Sequence, residues 1–93
     1  MKILITDEFL RKLNSQIEYI ARDKPKAARQ FKEAVFSKIR SLEKFPKASR
    51  KSVYFNNENI REGIIKGYKI IFRLNPKKDQ IEVFGFIRSQ NKP

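Results

Sequence analysis

The chain contains no cysteine and no histidine. Without cysteine there is no disulfide, no thiolate metal site and no mark of an oxidising compartment. Without histidine the side chain most used as a general acid or base near neutral pH is missing, so such chemistry falls to Lys, Arg, Tyr, Asp, Glu or Ser. Long apolar runs are also missing. At the N-terminus only Ile3-Leu4-Ile5 precedes polar and charged residues, too short a run for a signal peptide or a membrane span, and a cytoplasmic location with no membrane partner is expected. There is no Gly-rich phosphate loop, helix-turn-helix cue or RNA-recognition aromatic motif, and no metal or cofactor is expected.

Acidic side chains are scarce, with ten Asp and Glu against twenty-two Lys and Arg, a net charge of +12. It divides into +5 over residues 1–45 (11 basic, 6 acidic) and +7 over residues 46–93 (11 basic, 4 acidic). A field of that sign favours nucleic acid, an anionic surface or an acidic protein partner, and it exceeds the roughly eight charges that solubility asks of a small domain. Ninety-three residues make one domain, 1–93, with one core. A chain of this size buries only about two thirds of its unfolded surface. Eight Phe and an apolar fraction of 40 % supply that core, and 34 % charged residues with a mean hydropathy of −0.63 fit an ordered, soluble chain.

In chain order, Lys2 to Ile5 reads as a short strand that must pair with a later sheet. Thr6 or Asp7 caps a helix, Asp7 and Glu8 set negative charge at its positive end, and Leu10, Leu13, Ile17 and Ile20 form its apolar stripe to about Arg22. Asp23-Lys24-Pro25 stops that helix and starts a second, with Asp23 as cap and Pro25 in the first turn. The second helix is expected from Pro25 to about Lys44, with Ala28, Phe31, Val35, Ile39 and Leu42 facing inward, and so short a link makes the two an antiparallel hairpin. Phe45-Pro46 ends it. Lys47 to Asn59 is the least structured stretch, with a brief strand expected at Val53-Tyr54-Phe55.

Ile60 to Lys66 reads as a strand closed by Gly67. Two further β-branched and aromatic runs, around an Asn75-Pro76-Lys77-Lys78-Asp79 turn, read as a β-hairpin. The expected fold is α+β, in the order β-α-α-β-β-β, with a helical hairpin packed on a small antiparallel sheet. Strict alternation puts Tyr68, Ile70, Phe72 and Leu74 on one face of their strand, and Lys69, Ile71 and Arg73 on the other. In the last strand it puts Ile81, Val83, Gly85 and Ile87 opposite Glu82, Phe84, Phe86 and Arg88. Ile71, Phe84 and Phe86 then form an apolar patch away from the helices, rimmed by Lys and Arg. Such a patch is either a partner site or is covered by the C-terminal tail or by sheet twist.

Several stretches together resemble the RelE/ParE superfamily of type II toxin-antitoxin toxins, over nearly the whole chain. They are Asp23-Lys24-Pro25-Lys26-Ala27-Ala28, Ser41-Leu42-Glu43-Lys44-Phe45-Pro46, Asn59-Ile60-Arg61-Glu62, the run from Gly67 to Arg73, and the run from Ile81 to Arg88. The resemblance implies the β-α-α-β-β-β fold and a growth inhibitor silenced by a cognate acidic antitoxin that orders on binding, for which Ile71, Phe84 and Phe86 are the expected patch. It also implies one of two targets. RelE-like members cut mRNA on the ribosome, and ParE-like members poison DNA gyrase by protein contact.

Ribosome-dependent cleavage needs groups to deprotonate the 2′-OH, stabilise the phosphorane and protonate the leaving oxygen. Arg61, Lys69 and Arg88 are candidate charge stabilisers, with Lys66 and Arg73 able to add to them. The acid and base are absent: where RelE has paired lysines this chain has Ile60 and Glu62, and no Tyr follows Arg88. Glu62 beside cations reads as an ion pair before it reads as a base. The reading is therefore a ParE-like gyrase inhibitor, with Arg50, Lys51, Arg61, Lys66, Lys69, Arg73 and Arg88 as one target-binding basic surface. The alternatives are a RelE-like endoribonuclease and a non-toxic basic nucleic-acid-binding module.

Overall fold

The computed structural model describes residues 1–88. The elements are β1 (Lys2–Ile5), α1 (Asp7–Ala21), α2 (Pro25–Ser41), β2 (Arg50–Lys51), β3 (Ile60–Ile65), β4 (Tyr68–Asn75) and β5 (Gln80–Arg88). They form one sheet in the order β1-β5-β4-β3-β2. The α+β order stands as expected, with β2 added. The brief strand is the pair Arg50–Lys51, and Val53-Tyr54-Phe55 instead runs through a turn. The sheet is also not antiparallel throughout: β1 lies parallel to β5, Ile3 opposite Ile81 and Ile5 opposite Val83.

Local chemistry sets the helix ends. The Thr6 hydroxyl accepts a hydrogen bond from the Phe9 N–H at 3.1 Å, satisfying one free donor of the first turn of α1. Pro25 starts α2, where its missing N–H costs nothing, but the residue before it in the cap position is Lys24, not Asp23, and makes no capping bond. At the β3–β4 turn, Lys66 and Gly67 have φ of 47° and 84°. Two positive values in succession are what a tight two-residue hairpin of right-handed twist requires.

The core lies between the helices and one face of the sheet. Phe9 and Leu13 of α1, and Phe31, Val35, Ile39 and Leu42 of or just after α2, meet Ile70, Phe72, Leu74, Ile81, Val83 and Phe86. An aromatic cluster closes one end: Phe86 stacks on Tyr68 with centroids 5.0 Å apart and meets Phe9 edge-on at 5.7 Å. The presence of Phe86 here overturns the alternation expected for β5. Ile71 pairs with Gly85 and Phe72 with Val83, which leaves Phe84 as an extra residue, a β-bulge. One inserted residue moves every later side chain to the opposite face. Phe86 therefore points at the helices and is only 8 % exposed. Gly85 makes the bulge possible, because a Cβ there would sit 2.9 Å from the Ile71 Cβ.

Candidate functional site

The sheet face away from the helices is partly covered by the chain itself. From the end of β2, residues 52–59 form a strap that crosses it before β3 begins, anchored where the Ser52 N–H donates to the Ile60 carbonyl at 2.9 Å. Beneath it Ile60 and Ile71 are buried outside the main core. Phe55 of the strap meets Phe84 edge-on at 5.9 Å, and the Arg73 guanidinium lies 5.4 Å from the Phe84 ring centre. The covering is thus the strap; the C-terminal tail proposed for that role lies outside the described residues.

At the centre of this face is a buried carboxylate. Glu62 is 1 % exposed. Arg50, its cross-strand partner, donates from Nε at 2.8 Å and approaches with Nη2 at 2.7 Å, both to Oε2. Lys69 Nζ stands 3.5 Å from the same oxygen, and the Val53 N–H donates to Oε1 at 3.4 Å. Burial alone would raise the Glu62 pKa. The Arg50 hydrogen bond, the Val53 N–H and the charges of Lys69 and Arg50 together outweigh it and hold the carboxyl below its ordinary range. Lys69 also reaches the Tyr54 hydroxyl at 3.5 Å, with its ammonium 5.0 Å from that ring centre. Glu62 is therefore a latch: one side chain binds β2, β4 and the strap at once.

The cations expected to form one surface are divided. Arg50, Lys69 and Arg73 belong to the strap-side face, where the first two share Glu62 and the third pairs with Glu82 at 3.1 Å. Arg61 and Arg88 stand opposite Phe72 and Tyr68 in register, hence on the helix side. Arg61 is held there by the carbonyls of Ser49 and Glu58, at 3.0 Å each. Lys51 approaches Glu58 at 3.7 Å. Among the described residues, Lys66 and Arg88 alone of the seven have neither a carboxylate within 4 Å nor a side-chain hydrogen bond. Both sit at the same end of the sheet.

The apolar patch needs the same correction. Ile71 is buried under the strap, Phe86 is core, and only Phe84 keeps partial access. The apolar groups that do reach solvent on this face are ones alternation did not single out: Val53, Tyr54 and Phe55 on the strap, Ile64 on β3 and Leu4 on β1. Their signal was present as three consecutive large side chains in a loop, a poor place to bury them.

Two helices on one face of a five-stranded sheet, with a tethered strap on the other, define a small toxin-like α+β architecture. A family model described as the ParE toxin of the type II toxin-antitoxin system parDE matches residues 3–93. The chain belongs to that family, and it is the toxin of a toxin-antitoxin system of the ParDE/RelE type, which implies a cognate antitoxin partner. Its fold is similar to that of a chain in the chromosomal ParDE toxin-antitoxin system from P. aeruginosa, with a TM-score of 0.79, 12 % identity and 97 % of each chain covered. It is also similar to the isolated E. coli RelE toxin, with a TM-score of 0.66, 12 % identity, and 98 % of this chain and 86 % of that one covered. No curated protein is significantly similar in sequence. No helix among the described residues is long and apolar enough to cross a membrane.

Proposed function

We propose that this toxin is ParE-like and inhibits DNA gyrase by protein contact, without cutting RNA. The observation that carries the reading is the state of Glu62. It is the carboxylate at the centre of the strap-side face, and it is buried, bound by two cations and a backbone N–H, and held in its charged form by them. A general base must reach its proton and gain from taking it, and a carboxylate with a lowered pKa sealed under Arg50 does neither. Arg73 is likewise engaged by Glu82. The target contact then falls to Lys66 and Arg88 at the open end of the sheet, and to the exposed strap residues Val53, Tyr54 and Phe55. The antitoxin is an acidic segment that lies over Phe84 and Phe55 beside Arg73, where an apolar strip meets positive charge.

The test is induced expression with two readouts. DNA-damage signalling that rises while transcripts stay intact, together with loss of supercoiling by purified gyrase, is the expected result. Transcripts cut within codons on the ribosome would overturn the reading in favour of a RelE-like nuclease. For the surface, Lys66→Ala with Arg88→Ala should abolish growth inhibition with unchanged melting; full toxicity in that double variant would remove those two cations from the contact.

A further inference from the structure

The net charge of this protein is not concentrated where the strands carry their cations. Residues 48–88 hold nine basic and four acidic side chains, and each of those four acids lies within 4 Å of a cation, the Asp79 partner being the chain's own amino group. Residues 1–24 hold five basic and four acidic groups. Residues 25–47, which are α2 and the turn after it, hold seven basic groups and two acidic ones, a net +5 in 23 residues. None of these seven makes an ion pair among the described residues.

The positions of these cations follow the helix. Ala28, Phe31, Val35 and Ile39 turn inward. At about 100° per residue, Lys26, Arg29 and Arg40 fall on the side turned away from that stripe, and Lys32 on its flank. All four are exposed, as are Lys44 and Lys47 beyond the helix end. Lys38 differs: its stem lies across Gly63 of β3. Within α2, Glu33 is the one acid on that side, with the neutral Gln30 and Ser37 also among the outward positions. From Lys26 to Arg40 the row is about 21 Å long at 1.5 Å per residue.

We propose that the outer side of α2 is a binding site for the phosphate backbone of duplex DNA, distinct from the strap-side face and from the toxin's contact with a protein target. Uncompensated cations along a straight element are the footprint of a polyphosphate partner. An α-helix, about 10 to 12 Å across, matches the roughly 12 Å width of the B-form major groove, whereas the deep, narrow A-form groove of duplex RNA excludes it. The cations serve as phosphate contacts, which carry no sequence information, so binding is independent of sequence and steeply dependent on salt.

The experiment measures affinity of the purified chain for a fluorescent 20-base-pair DNA duplex over a salt series, beside a duplex RNA of the same length. One variant combines Lys26→Gln, Arg29→Gln, Arg40→Gln and Lys44→Gln. A control of equal net charge combines Lys2→Gln, Arg11→Gln, Lys77→Gln and Lys78→Gln. Melting of both checks the fold. The expected result is DNA binding by the native chain, with the α2 variant losing at least tenfold in affinity and roughly 3 to 4 in the slope of log affinity against log salt, at about 0.9 per phosphate contact. The control should stay within about threefold of the native chain. Equal losses in the two variants would reduce the effect to the general field of a basic protein and overturn the site. RNA bound as tightly as DNA, or no DNA binding at 50 mM salt, would overturn it as well.

Discussion

The strap-side face of the sheet and the outer side of α2 carry the same kinds of cation and use them oppositely. On the sheet, Arg50, Lys69 and Arg73 are bound to Glu62 and Glu82, and the charges hold elements together. On α2, Lys26, Arg29 and Arg40 touch no carboxylate among the described residues and contribute field without structure. The difference teaches that a count of basic residues locates neither a working surface nor a stabilising network. What decides is whether each cation has an acid within reach, and how much water lies between them. A buried acid with two cations is costly to disturb from either side; an exposed cation on a helix is nearly free to change.

The comparison can be broken most sharply inside β5. With the bulge at Phe84, Phe86→Ala removes a ring packed against Phe9, Phe31 and Tyr68 and should cost about 3 to 5 kcal/mol in denaturant unfolding, while Ile87→Ala costs about 1 kcal/mol or less. The reverse ranking would mean that plain alternation holds. Next in size is Glu62→Ala, which strands Lys69 in a site of 10 % exposure and frees the strap. About 2 to 4 kcal/mol is expected, below the full cost of breaking a buried pair because Arg50 can turn to solvent. A loss under about 0.5 kcal/mol in urea titration would show that the latch is not structural.

Acid supplies a gentler version of the same test. A carboxyl whose folded pKa lies below its ordinary value of 4.5 stabilises the fold at every pH above that value and loses the contribution as pH falls through the folded pKa. Unfolding free energy measured from pH 7 down to pH 3 should therefore fall more steeply in the native chain than in Glu62→Gln, and parallel curves would contradict the lowered pKa. The smallest effect belongs to α2. Neutralising Arg40 alone should leave stability within about 0.5 kcal/mol, because it is exposed and has no carboxylate partner among the described residues. Any larger fall in melting temperature would reveal a structural role that its exposure does not suggest.

The apolar stripe of α2 was legible in full: Ala28, Phe31, Val35, Ile39 and Leu42 are all buried. In α1, Leu13 was legible but Phe9 was missed, although 9, 13, 17 and 20 keep the same helical spacing as the stripe that was read. The bulge escaped because period-two reading assumes an unbroken pleat. Its only sequence signal was Gly85, a residue that in a strand interior marks a bulge or a close backbone approach. The basic residues were legible as types, and their division was not. Simple alternation parts Arg61 from Lys69 and Arg73, but it is the bulge that carries Arg88 over to the helix side, and which acids the others meet depends on the strap, a segment with no periodicity to read. The parallel placement of β1 against β5 is likewise a matter of long-range pairing that four residues cannot announce.

That placement has a bearing on timing. β5 is flanked by the first strand of the chain on one side and by β4 on the other, so a growing polypeptide that has reached only Asp79 has nothing for Lys2–Ile5 to pair with and lacks Ile81, Val83 and Phe86 of its core. During translation the two neighbours of β5, the first strand and β4, therefore gain their shared partner only once the last strand has been made.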